Sequence, residues 1–202
     1  MYGSIADMVG EHRPAGRVES RPDAAKARTG GPLVIVSAVR TAVLTISTSV
    51  ARRQNEDAAG PLLAQLAEEA GADVEAMEVI PDDFPLIEDR LHHYVDDNFT
   101  FVFTTGGTGL TPDDVTPEAT KAVIEREAPG IAEAMRAESM RHTPMGMLAR
   151  GMAGIAHRTL IVNFPGNPRA IEQLFPVIAP TLTHAAETLV RKGGRDGRSG
   201  GH

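Results

Sequence analysis

The run Phe99–Thr120, FTFVFTTGGTGLTPDDVTPEAT, constrains this chain most, because it reads as strand, glycine loop and helix in immediate succession. Phe99, Phe101 and Phe103 alternate with Thr100, Val102 and Thr104, a β-rich run of the length of a buried strand. Gly106, Gly107 and Gly109 then permit backbone conformations closed to residues with a Cβ and let a ligand approach the main chain. Thr116 followed by Pro117 predicts an N-cap and a first helical position, with Glu118 in the first turn and the helix continuing to about Ile124. In an open α/β sheet, a glycine loop between a strand's C-terminal end and a helix start is where ligands, phosphates above all, are held. GGTG alone is a weak signal, since most glycine turns only turn. Asp113 and Asp114 sharpen it: carboxylates between loop and helix oppose a bare phosphate, and a Mg²⁺ ion bridging a carboxylate to phosphate oxygens would offset them. The alternative is that both aspartates serve only the helix N-terminus, worth about 0.3–1 kcal/mol each.

The same strand, loop and helix rhythm recurs on either side. Ala42–Ser47 predicts an interior strand, Thr48–Ala59 a polar loop that includes Asp57, and Gly60-Pro61 a helix that stops at Gly71. Leu33–Val39 reads as an extra edge strand. Val74–Ile80 is a further strand ended by Pro81, with Asp82-Asp83 before a helix over Pro85–Asp97. Strand ends gather along one edge of a parallel sheet, so Asp82 and Asp114 can converge there as a Mg²⁺ site. His92-His93 lack the i,i+4 spacing of a zinc site and read as surface or packing residues. Ile131–His142 predicts a helix with Met135 and Met140 as core filler, Thr159–Val162 the last strand, and Pro168 an early position in a final helix that reaches Arg191. The alternation predicts an α/β fold of three layers, a mainly parallel sheet with helices on both faces.

Residues 1–32 mix Gly, Pro, Ala and charges without an apolar period and read as a flexible extension; 33–192 form the domain and 193–202 a disordered tail. Aromatics make up 4% of the chain, with no tryptophan, so an aliphatic core is expected. The absence of cysteine excludes disulfides and thiolate metal sites and suits a reducing cytoplasm. A net charge of −7 argues against nucleic-acid or anionic-membrane partners; Arg52-Arg53 read as solvated. No run approaches the roughly 20 apolar residues of a membrane span, and the N-terminus lacks the apolar core of a secretory signal.

GGTGLTPDDVTPEAT resembles the signature of the molybdopterin adenylyltransferase family, the group of MogA, MoaB and the gephyrin G domain. Lys121–Ile131, Thr143–Ile155 and Thr159–Ile171 resemble it further, as do Ala42–Ser47, Asp57–Pro61 and Pro81-Asp82 upstream, in order and spacing from about Ala42 to Leu189. The resemblance implies Asp82 and Asp114 as catalytic and metal-binding residues. It implies Gly106, Gly107, Thr108 and Gly109 as phosphate contacts, and Pro165 and Gly166 on the nucleotide side. Ser47, Asp57 and Gly60 fall in its substrate-binding stretches. Arg150 is the kept member of a usual Ser-Arg pair, able to hold an anion with its planar fork or to stabilise the fold or a subunit contact. Thr48, Ala59 and Ala149 stand where the family commonly carries polar or acidic side chains. The implied reaction is Mg²⁺-dependent transfer of AMP from ATP to molybdopterin, in a homotrimer, with a downstream metal-insertion protein as a further partner. The alternative is a non-catalytic molybdopterin-binding or assembly protein of the same fold.

Overall fold

The computed structural model describes residues 39–191. The extension 1–32, the tail 193–202 and all of the expected edge strand except Val39 lie outside the described residues. In chain order the elements are β1 (Arg40–Ile46), α1 (Thr48–Ala51), α2 (Ala59–Glu69), β2 (Asp73–Ile80), α3 (Phe84–Asp96), β3 (Phe101–Thr105) and α4 (Thr116–Val123). They continue with β4 (Arg126–Glu127), α5 (Pro129–His142), a 3₁₀ turn (Pro144–Leu148), β5 (Ala153–Ala156) and β6 (Thr159–Phe164). Last come α6 (Pro168–Ile178), a second 3₁₀ turn (Ala179–Thr181) and α7 (Leu182–Val190).

The sheet has the order β2-β1-β3-β6-β5-β4. β2, β1, β3 and β6 run parallel, whereas β5 is antiparallel to β6 and β4 to β5. The register pairs Ile46 with Ile80, Thr45 with Thr105, and Thr105 with Phe164. The four parallel strands therefore end at one level, and the loops that follow them open along one edge.

Every residue of β3 and β6 is buried, because helices cover both faces and each side of the two-residue period needs an apolar partner. Val43, Phe101, Phe103, Leu160, Val162 and Phe164 face α2, α5, α6 and α7. Ala42, Leu44, Ile46, Val102 and Ile161 face α3 and α4. The three layers expected from the sequence are present.

Several details differ from the sequence reading. The core is not purely aliphatic: Phe101, Phe103, Phe164 and Phe175 form one contiguous group with ring centroids 5.6–5.9 Å apart. Few aromatics thus concentrate in one place, each pair adding about 0.5–1.5 kcal/mol beyond its burial. α4 starts at Thr116 itself, and no side chain caps it. The Thr116 N–H bonds Gly107 O at 3.1 Å, which ties the helix to the glycine loop instead. The final helix is interrupted at Ala179–Thr181, where Pro180 brings a residue without an N–H. Met135 is buried, but Met140 is 47% exposed. The short strands β4 and β5 escape notice in the sequence because Gly and Ala in β5 carry little strand propensity. A turn of helix at α1 replaces part of the polar loop, where Ser47 Oγ accepts from Val50 N at 3.4 Å. Among the described residues, no helix is long and apolar enough to cross a membrane.

Candidate functional site

A cleft of about 590 Å³ opens at the C-terminal edge of the parallel strands. Ser47, Asp57, Asp82, Asp114, Gly106 to Gly109, Pro165 and Gly166 all line it. Asp82 follows β2 and Asp114 precedes α4, so the topology brings to one cavity two carboxylates that lie far apart in the chain. Gly60 and Arg150 are not part of the lining. Gly60 packs beneath Asp57: a Cβ there would fall 2.3 Å from Thr45 Oγ1 and 2.5 Å from Asp57 Oδ2.

The glycine loop is held in a conformation that requires glycine. Gly106 has φ +100° and Gly107 φ +60°. Gly106 donates its N–H to Phe164 O at 3.1 Å, so this amide fastens the loop to β6 instead of facing a ligand. Gly107 O accepts from Thr116 N, while the N–H groups of Gly107 and Thr108 have no acceptor among the described residues. Thr116 Oγ1 is buried with no hydrogen-bond partner among the described residues, and a Cβ on Gly107 would lie 2.2 Å from it. The starts of α2 and α6 also border the cleft through Ala59 and Pro168, adding the partial positive charge of helix N-termini.

Each aspartate is set by a threonine. Asp82 Oδ2 accepts from Thr48 N at 2.8 Å and from Thr48 Oγ1 at 2.9 Å, and Asp82 N donates back to Thr48 Oγ1 at 3.1 Å. Asp114 Oδ2 accepts from Thr111 N at 2.8 Å and from Thr111 Oγ1 at 2.6 Å. In both residues Oδ1 makes no hydrogen bond to the described residues. Burial would raise the Asp114 carboxyl, but the Thr111 bonds, the Gly109 backbone and the Arg150 charge together hold it below the usual carboxylate range. Asp57 is more fully engaged: Oδ2 accepts from Thr45 Oγ1 at 2.7 Å, and Oδ1 from the Ala59 and Gly60 amides at 3.1 and 2.9 Å. It caps α2 and is not a solvated loop acid.

Among the described residues the lining includes Glu56, Asp57, Asp82 and Asp114 but no lysine, arginine or histidine. An anion entering this cleft meets backbone donors and carboxylates together, and the carboxylates must be neutralised by a cation that comes with it. Among the described residues no three acidic or imidazole side chains gather as a metal cage. Two aspartates with one free oxygen each fit Mg²⁺, which uses one or two carboxylates together with substrate phosphates and water.

Sequence reasoning missed the threonines. Thr45, Thr48, Thr105 and Thr111 hold Asp57, Asp82, Pro165 O and Asp114 respectively. For Thr45, Thr48 and Thr105 the available signal was a hydroxyl at or just beyond the end of a buried strand, whereas Thr111 lies in the loop and gave none. Asn163 is a further case, donating to Thr104 Oγ1 at 3.0 Å and Thr120 Oγ1 at 2.9 Å inside the core. Next to the cleft, and sharing Thr108, Gly109 and Pro165 with it, lies an apolar hollow of about 430 Å³ between α5, the first 3₁₀ turn and α6. Leu110, Met145 and Leu148 on its rim are 63%, 62% and 43% exposed.

A family model described as a probable molybdopterin binding domain matches residues 42–184. The molybdenum cofactor synthesis protein cinnamon of Drosophila melanogaster is 38% identical over 158 residues, which is 74% of this chain and 26% of that protein. A molybdopterin adenylyltransferase of Haemophilus influenzae is 38% identical over 138 residues, 67% of this chain and 70% of its relative. The solved structure of the molybdopterin biosynthesis enzyme MoaB of Thermus thermophilus aligns with a TM-score of 0.72 at 37% identity, covering 76% of this chain and 98% of that one. The chain spans about a quarter of cinnamon's length. The family match begins in β1, ends in α7 and takes in every loop that forms the cleft, so this chain belongs to the molybdopterin-binding domain family, with the MoaB and MogA fold.

Proposed function

We propose that this protein acts in molybdenum cofactor biosynthesis, transferring AMP from ATP to molybdopterin and releasing pyrophosphate. The observation that carries the reading is the cleft itself: unpartnered loop amides beside two aspartates with one free oxygen each, and no basic side chain in the lining. The names of relatives, a molybdopterin adenylyltransferase and a molybdenum cofactor synthesis protein among them, support it.

In this reading a terminal phosphate oxygen of the pterin attacks the α-phosphorus of ATP. The new P–O bond forms as the bond to the β-phosphate bridge breaks. The nucleophile is already an anion, so the site needs no strong base; it must align two anions and offset their charge. Gly107 and Thr108 offer amides to phosphate oxygens, and Pro165 and Gly166 border the nucleotide. Asp82 and Asp114 would hold Mg²⁺, which when bound supplies the charge that the lining lacks. Thr48 and Thr111 fix the two carboxylates so that their free oxygens stay available.

Incubation with molybdopterin, ATP and Mg²⁺ is expected to release pyrophosphate, and chelation of the metal to abolish the release. Tight pterin binding without pyrophosphate would instead establish the non-catalytic reading. Thr48 favours that second reading to one extent: it replaces an acidic residue common in the family, leaving one carboxylate fewer on this wall. The family resemblance implies a homotrimer. Light scattering at assay concentration should give three chain masses, and a monomer would exclude it.

A further inference from the structure

Arg150 is the most heavily engaged basic side chain near the cleft, yet it does not line it. Its Nε donates to Gly109 O at 2.6 Å, one terminal nitrogen donates to Asp114 O, and the other pairs with the Glu118 carboxylate. Its backbone N–H donates to Thr108 O at 3.1 Å. Arg150 thus grips Thr108, Gly109 and Asp114, the loop from the phosphate amides to the second aspartate, and fastens it to the first turn of α4. Each guanidinium nitrogen has a partner within the protein, and these contacts use three of its five N–H donors.

Arg136 on α5 adds a second tier. One terminal nitrogen donates to Ala149 O at 3.0 Å and to Gly151 O at 3.1 Å, the carbonyls on either side of Arg150. This contact runs through the main chain, so alanine at 149 serves it as well as serine would.

We propose that Arg136 and Arg150 are positioning residues, a two-tier guanidinium brace that fixes the Thr108–Asp114 segment so that the loop amides and the Asp114 carboxylate meet the same ligand. The proposal rests on the reading of this loop as the phosphate cradle. Lysine cannot stand in at 150. Its single ammonium is a point charge, whereas the planar fork reaches two carbonyls and a carboxylate in fixed directions.

The test uses the full chain with Arg150→Lys, Arg150→Met and Arg136→Lys. In the pyrophosphate assay, both Arg150 variants are expected to lower kcat by about 10²-fold, the scale of loss for misplacement by about 1 Å, with a smaller change in KM for ATP. Methylguanidinium should restore part of the turnover of Arg150→Met. Arg136→Lys should lower kcat by about tenfold through the weakened second tier. Independently of turnover, exchange of the Gly106 and Thr116 amides should quicken by about tenfold in Arg150→Lys, because the loop they fasten is released. Wild-type turnover in Arg150→Lys would overturn the brace by showing that charge alone matters. Unchanged exchange of both amides would overturn it as well. If the wild-type protein releases no pyrophosphate, the proposed reaction fails, and the exchange experiment still decides the brace.

Discussion

Asp114→Asn is expected to leave the fold standing and to lower pyrophosphate release by about 10²-fold or more, the scale reported when one preorganised charge-stabilising group is removed. The asparagine carbonyl can still accept from Thr111 N and Thr111 Oγ1, now at 2.8 and 2.6 Å from Asp114 Oδ2, so the local turn survives. What changes is the other position, where an oxygen anion becomes an amide that donates. The wild-type carboxyl is held below the usual range and is ionised at neutral pH, so its charge is available throughout the working range. Parallel thermal unfolding and turnover measurements check the split. Near-normal turnover in a folded Asp114→Asn protein would remove this residue from the metal site.

Gly106→Ala should act on stability instead. The residue sits at φ +100°, and a Cβ would lie 2.1 Å from Ile46 O, a backbone atom that cannot yield without moving the end of β1. Positive φ alone costs about 1–3 kcal/mol, and the clash adds to it, so a loss on the order of 3–5 kcal/mol is expected. For a domain of this size that is a fall in Tm of roughly 10 °C. Gly130→Ala is the internal control, since its Cβ would meet nothing within 4 Å and its φ is ordinary. It should melt at or slightly above the wild-type temperature. Equal melting temperatures for the two variants would show that the loop has room the geometry denies.

The parallel strands and the glycine loop were legible because both obey local rules: continuous apolar runs for strands buried on two faces, and glycines where the chain leaves them. That Asp82 and Asp114 would line one cavity was legible for a topological reason, since parallel strands bring their ends to one edge. The roles of neighbouring groups were not. That Gly106 spends its amide on Phe164 O, that Asp57 accepts from Thr45, and that Arg150 turns away from the cleft all depend on contacts between separate segments. Thr116 illustrates the limit well. Its place before Pro117 matches a capping residue, but tertiary contact with Gly107 takes over its N–H and leaves its hydroxyl buried.

The close approach of the two glycine turns has a consequence of its own. A β-carbon on Gly166 would come within 3.3 Å of Gly106 Cα, so the turn after β6 rests directly on the turn after β3. Neither can slide without pushing the other. The relative position of these two turns at the edge of the cleft is therefore set by main-chain atoms rather than by adjustable side chains.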